Sequence, residues 1–143
     1  MKKYRFSLAG AQRVQRIAED QAKAALADAR HDADEASAAL QARLAEIGSA
    51  LPDTGQRSSQ QFLAEREQLD RHRDAVIAAR SAEANALSIM QQRHDDYVAA
   101  ARKVRTLDRL DERKREEWRF EVTRAAQLVT DETATIRYRG PRQ

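Results

Sequence analysis

The stretch "HDADE" sets His31, Asp34 and Glu35 at the i, i+3 and i+4 spacings that carboxylate–histidine metal sites use on one helix face. A di-metal centre needs a matching set on a facing helix. His94 with Asp95 and Asp96 has the right residue types, but it falls far from His31 in the register argued below. His72, in "RHRD", has the setting of a surface or seam-flanking histidine. A solvated face therefore accounts better for these groups than a metal centre. Elsewhere the chain holds no Gly-rich phosphate loop, no nucleophile elbow and no paired catalytic carboxylates. Cysteine is absent, which removes thiolate chemistry and disulfides and fits a reducing compartment. The expectation is a chain with no metal, no cofactor and no enzymatic activity.

Charge points next to nucleic acid, and the pattern argues against it. Residues 1–50 carry 8 basic and 7 acidic side chains, residues 51–99 carry 6 and 8, and residues 100–143 carry 12 and 8. The basic excess lies at the C-terminal end. Yet "ERKREEWRFE" holds four acids and four bases, where a phosphate-binding stripe omits the acids. Asp111 with Arg115 and Arg113 with Glu117 have the spacing of helix-stabilising ion pairs. Only Arg137, Arg139 and Arg142 in the tail stand without such partners. No nucleic-acid partner is expected.

Positioning these residues falls to long helices. Charged residues make up 34% of the 143-residue chain and aromatics 5%, and the 41% apolar content leans on alanine. Such a composition supports a thin seam between helices better than a thick globular core. Glycine occurs only at 10, 48, 55 and 140, and proline only at 52 and 141. The cluster "GSALPDTGQ" thus reads as a turn over residues 48–58. Helix 1 is expected over 7–47, with Ser7 as its N-cap and Gly48 as its stop. Helix 2 is expected over 59–137, opened by Ser58 and Gln61 at capping-box spacing. Residues 1–6 form a lead and 138–143 a basic tail on a single coiled-coil domain. Nothing reaches the roughly 18 apolar residues of a membrane span. "MKKYRFSLAG" begins like a signal peptide but runs into charge. A soluble, cytoplasmic chain is expected, with no direct membrane insertion.

The apolar rows give the architecture. Helix 1 carries Ala18, Ala22, Leu26, Ala29, Ala33, Ala36, Leu40, Leu44 and Ile47, in steps of three and four. Helix 2 carries Phe62, Leu69, Val76, Glu83, Met90, Tyr97 and Val104, a seven-residue series with one polar break. The fold class is all-α: an antiparallel two-helix coiled-coil hairpin whose second helix is the longer. Setting Ile47 opposite Phe62 pairs Leu40 with Leu69 and Ala33 with Val76, small against large. That register exhausts helix 1 near Val104 and leaves about 30 residues of helix 2 as an overhang of roughly 45–50 Å.

The overhang holds Trp118, the sole tryptophan, inside "LDERKREEWRFEV". Phe120 points about 200° away from it, so one neighbouring helix does not cover both rings. Exposed aromatics flanked by arginine have the composition of a protein-binding hot spot. The other reading, a slipped register or a helix 2 that folds back, makes Trp118 ordinary core.

Three stretches carry a family resemblance. "YRFSLAGAQRVQRIAEDQAKAALADAR", "SSQQFLAEREQL" and "LDERKREEWRFEVTRAAQLVTDETA" resemble the first helix, the start of the second helix and the C-terminal segment of the flagellar type III export stalk family, FliJ. The resemblance spans nearly the whole chain and leaves the related injectisome stalks open. It implies a non-enzymatic coiled-coil hairpin similar to the central stalk of rotary ATP synthases. Such a stalk inserts into the export ATPase hexamer, promotes its assembly, links it to the cytoplasmic domain of the export gate and escorts export chaperones. The implied location is cytoplasmic and peripheral, at the inner face of the cell membrane through the export apparatus. By this resemblance and the overhang, Arg113, Arg115, Trp118, Arg119, Phe120 and Val122 are the ATPase-binding candidates. Leu40, Leu44, Ile47, Phe62 and Leu69 match the family's gate surface, and they are equally the residues that close the seam. The rival reading is a structural coiled coil that self-associates through the overhang, with no ATPase partner.

Overall fold

A computed structural model of the chain describes residues 3–50 and 55–138. Among these residues the regular elements are two helices, α1 (Ala9–Ser49) and α2 (Ser59–Tyr138), of 41 and 80 residues. The fold is the all-α helical hairpin, with the second helix the longer. α2 contains neither glycine nor proline, so nothing in its sequence breaks the backbone ladder.

The helix ends are set by local hydrogen bonds. At the start of α2, the Ser58 amide donates to Gln61 Oε1 at 3.0 Å and the Gln61 amide donates to Ser58 Oγ at 3.3 Å. This reciprocal pair satisfies two amides that the helix itself leaves without acceptors. α1 begins at Ala9, and Ser7 lies in the preceding turn, closed by the Ala9 amide on the Phe6 carbonyl at 3.3 Å. α1 also continues through Gly48, which has no positive φ and so is no left-handed cap. Instead Ser49 Oγ and the Ala50 amide both donate to the Glu46 carbonyl at 3.0 Å. Pro52 of the turn, and Arg139 and Arg142 of the basic tail, lie outside the described residues.

Contacts divide the chain into two compact units, residues 1–19 with 100–143, and residues 20–99. In the 20–99 unit the seam is Leu26, Ala29, Ala33, Leu40 and Val76, each between 4% and 7% exposed. Half-buried Leu69, Ala79, Glu83, Ala86 and Met90 extend it along α2. The register differs from the expected one. Ile47 stands beside Leu69, a heptad further along α2 than Phe62, and Glu46 reaches His72 at 3.8 Å. Phe62 and Leu63, at the start of α2, are 55% and 64% exposed. The cause is the pattern itself: sliding a heptad series by seven residues leaves apolar positions facing apolar positions. Spacing alone does not choose between the two.

In the 1–19 and 100–143 unit, Ala101 and Val104 are the buried residues. Leu107, Leu110, Trp118 and Val122 continue the row as half-buried positions, and every residue from Thr123 to Tyr138 is exposed. The expected overhang beyond Val104 is therefore corrected. Cover on α2 runs on to Val122, and the uncovered helix begins after it.

Candidate functional site

Trp118 has a partner within its own chain. Steps of three and four along α2 put Asp108, Asp111, Arg115 and Trp118 on one face, and the N-terminal lead with the first turns of α1 lies against it. The Tyr4 and Trp118 ring centroids are 5.9 Å apart, with the planes tilted by 53°. Tyr4 Oη donates to Asp111 Oδ1 at 2.7 Å, and the carbonyl of the same residue is at 3.1 Å. The Arg115 guanidinium completes the clasp, 3.3 Å from Asp111 Oδ2 and 5.5 Å from the Tyr4 ring centre. A cation over a phenol ring that hydrogen-bonds a carboxylate is mutually supporting.

One turn back, Gln12 Nε2 and Arg16 Nη2 both donate to Asp108 Oδ1, the latter at 3.0 Å. These two donors hold the Asp108 carboxyl below the usual carboxylate range. Partial burial of Tyr4, then its hydrogen bond to Asp111, pushes the phenol above its ordinary value of 10.0. Beside them Lys114 Nζ lies 2.7 Å from Glu117 Oε2, a carboxylate that raises its affinity for the proton. The expected Arg113–Glu117 pair is thus replaced by Lys114–Glu117, while the Asp111–Arg115 pair forms as spaced.

The residues marked for ATPase binding separate into two groups. Arg115 and Trp118 belong to the clasp, and Val122 is half-buried where the cover ends. Arg113, Arg119 and Phe120 are exposed, Phe120 at 70%. The premise that Trp118 lacks an intrachain partner is therefore overturned. Sequence reasoning missed Tyr4, Gln12, Arg16 and Asp108. A signal was present: in a chain with 3 Tyr, 3 Phe and 1 Trp, the lead "YRFS" spends two aromatics just ahead of α1.

The gate candidates separate as well. Leu40 is a buried seam residue, and Leu44 is 37% exposed. Ile47 and Leu69 line one shallow pocket with Arg66, Asp70 and Arg73. Phe62 and Leu69 line another with Arg57 and Glu65, which pair at 3.1 Å. Ile47, Phe62 and Leu69 thus form one apolar and arginine-rimmed corner, while Leu40 serves the seam.

The histidines make single contacts: His31 to Glu35 at 3.2 Å, and His94 to Asp95 at 3.5 Å. Among the described residues no group of three His, Cys, Asp or Glu is placed to hold a metal ion. No described helix is long and apolar enough to cross a membrane.

No curated protein and no solved structure matches the chain. A family model does match it, that of the flagellar FliJ protein, over residues 7–143. With two long helices, the longer one second, and a match from Ser7 onward, the chain belongs to the flagellar FliJ protein family.

Proposed function

We propose that this member of a flagellar export family is a non-enzymatic central stalk and adaptor. It binds inside the hexamer of the export ATPase, promotes its assembly and activity, and joins it to the export gate and the export chaperones. The observation that carries the reading is α2 beyond Val122, where an α-helix runs on to Tyr138 with no intrachain cover among the described residues. Leu128, Val129 and Ile136 on it are 62%, 63% and 67% exposed. A solitary helix with uncovered apolar positions suits a pore whose walls surround it. Arg113, Arg119 and Phe120 extend that surface toward the clasp. At the other end of α2, the corner of Ile47, Phe62 and Leu69 is the proposed gate contact. The proposed location is the cytoplasm, at the inner membrane face through the export apparatus.

The test is the ATPase rate and oligomeric state of the export ATPase with and without the protein. Faster hydrolysis with a larger hexamer fraction supports the stalk. An unchanged ATPase alongside a stable dimer of this chain supports the self-associating coiled coil instead.

A further inference from the structure

The clasp divides the charges of α2 unevenly between its two sides. Asp108 is taken by Gln12 and Arg16, Asp111 by Tyr4 and Arg115, and Glu117 by Lys114. Every one of those contacts draws a carboxylate toward α1, the lead or a neighbouring base. On the other side Arg102, Arg105, Arg109 and Arg113 follow at steps of three, four and four, and beyond one interruption (the exposed carboxylate of Glu116) Phe120 and Arg124 continue the row. All six are exposed, and among the described residues none of the five arginines is in an ion pair.

The row is the back of the seam. Val104, Leu107, Asp111, Arg115 and Val122 each stand two positions after a member of the row, about 200° around the helix. Residues that face α1 and the lead therefore leave the row facing away. Alternation of sign along "ERKREEWRFE" hides this in the linear sequence. Folding ties up Asp108, Asp111 and Glu117 and leaves on the far side a line of guanidinium groups broken by Glu116.

We infer that this row, Arg102, Arg105, Arg109, Arg113 and Phe120, is the surface by which the α2 stem docks on a partner protein whose facing surface carries carboxylates around an apolar socket. The inference rests on the stalk reading for the partner's identity and removes Trp118 and Arg115 from the contact. Guanidinium groups at helical spacing match discrete carboxylates, each taken as a two-pronged pair. Phe120 supplies the desolvated anchor that such a rim surrounds. A continuous phosphate backbone fits less well, because Glu116 stands within the row, where discrete carboxylates can be placed around it and evenly spaced phosphates cannot, and because such a backbone offers Phe120 no apolar socket.

The experiment compares wild type, the fourfold variant Arg102→Gln, Arg105→Gln, Arg109→Gln, Arg113→Gln, and Phe120→Ala for binding to the export ATPase at two salt concentrations. Gln retains helix propensity, so each variant should keep the wild-type circular dichroism and melting temperature. The expected result is a loss of about thirtyfold for the fourfold variant at low salt, with a flattened salt dependence, and a comparable loss for Phe120→Ala. Trp118→Phe, which keeps a ring against Tyr4, should bind as wild type does. Wild-type binding with an unaffected fourfold variant overturns the row and leaves the stalk standing. No binding by wild type overturns both. Tight binding of wild type to single- or double-stranded DNA, lost in the fourfold variant, overturns the protein-partner assignment.

Discussion

Tyr4 is the residue on which the clasp turns, because it meets Trp118 through its ring and Asp111 through its hydroxyl. Tyr4→Phe keeps the ring contact and removes the donor, so it should lower the melting temperature by a few degrees; Tyr4→Ala should lower it further. Trp118→Ala removes a half-buried ring from the same contact and should cost about 1–3 kcal/mol, below the roughly 3–5 kcal/mol of a fully buried aromatic. Both are read by thermal unfolding, and an unchanged melt would dissolve the clasp. The pH behaviour has two sides with opposite signs. Asp108 has a folded pKa below its ordinary 3.8, so its contribution is present above that value and lost as pH falls through the lower one. Tyr4 has a folded pKa above 10.0, so its contribution is full below 10.0 and lost as pH rises past it. Asp108→Asn should remove the acid limb of this unit's stability and leave the alkaline limb, as stability measured against pH will tell.

At the scale of the elements, cover rather than propensity decides which parts of the helices are firm. The Ser58–Gln61 box is exposed but reciprocal, and Ser58→Ala should cost about 1 kcal/mol in denaturant unfolding. Leu40 is 6% exposed in the seam, and Leu40→Ala should cost about 2–3 kcal/mol. The end of α2 is a different case. Residues 123–138 have no seam, and isolated helices of about that length are marginal in water. Their amides should exchange quickly in the free protein and, on the proposed stalk function, slow when the export ATPase is added, while those near Leu26 to Leu40 stay slow in both. Slow exchange to Tyr138 in the free chain would contradict this.

For the whole molecule, the two contact units differ in what holds them. Residues 20–99 have five buried apolar side chains; the unit formed by 1–19 and 100–143 has two, plus the polar clasp. Apolar burial is close to indifferent to salt and moderate pH, whereas exposed ion pairs are screened. The 1–19 and 100–143 unit should therefore open first in native-state hydrogen exchange, and earlier still at high salt. Equal opening of the two units across salt concentrations would refute the ranking. A partner that engages the bare helix and the arginine row binds the less firmly held unit, and binding should raise its protection.

The sequence by itself determined that this is an all-α chain of two long helices, because helix formation depends on local composition and on where glycine and proline fall. It also determined which positions lie toward the seam, since a period of three to four is a property of one helix: Leu26, Ala33, Leu40, Val76 and Val104 all went where their spacing sent them. Its stretches already resembled the FliJ family that the match over residues 7–143 shows. The register was beyond its reach, because a heptad series fits a neighbour equally well after a slip of seven residues. Tertiary structure set Ile47 beside Leu69, carried cover along α2 as far as Val122, and brought Tyr4 to Asp111 across 107 positions of sequence. Only that long-range pairing turned Trp118 inward, and with it left the arginines behind Val104 and Leu107 facing out.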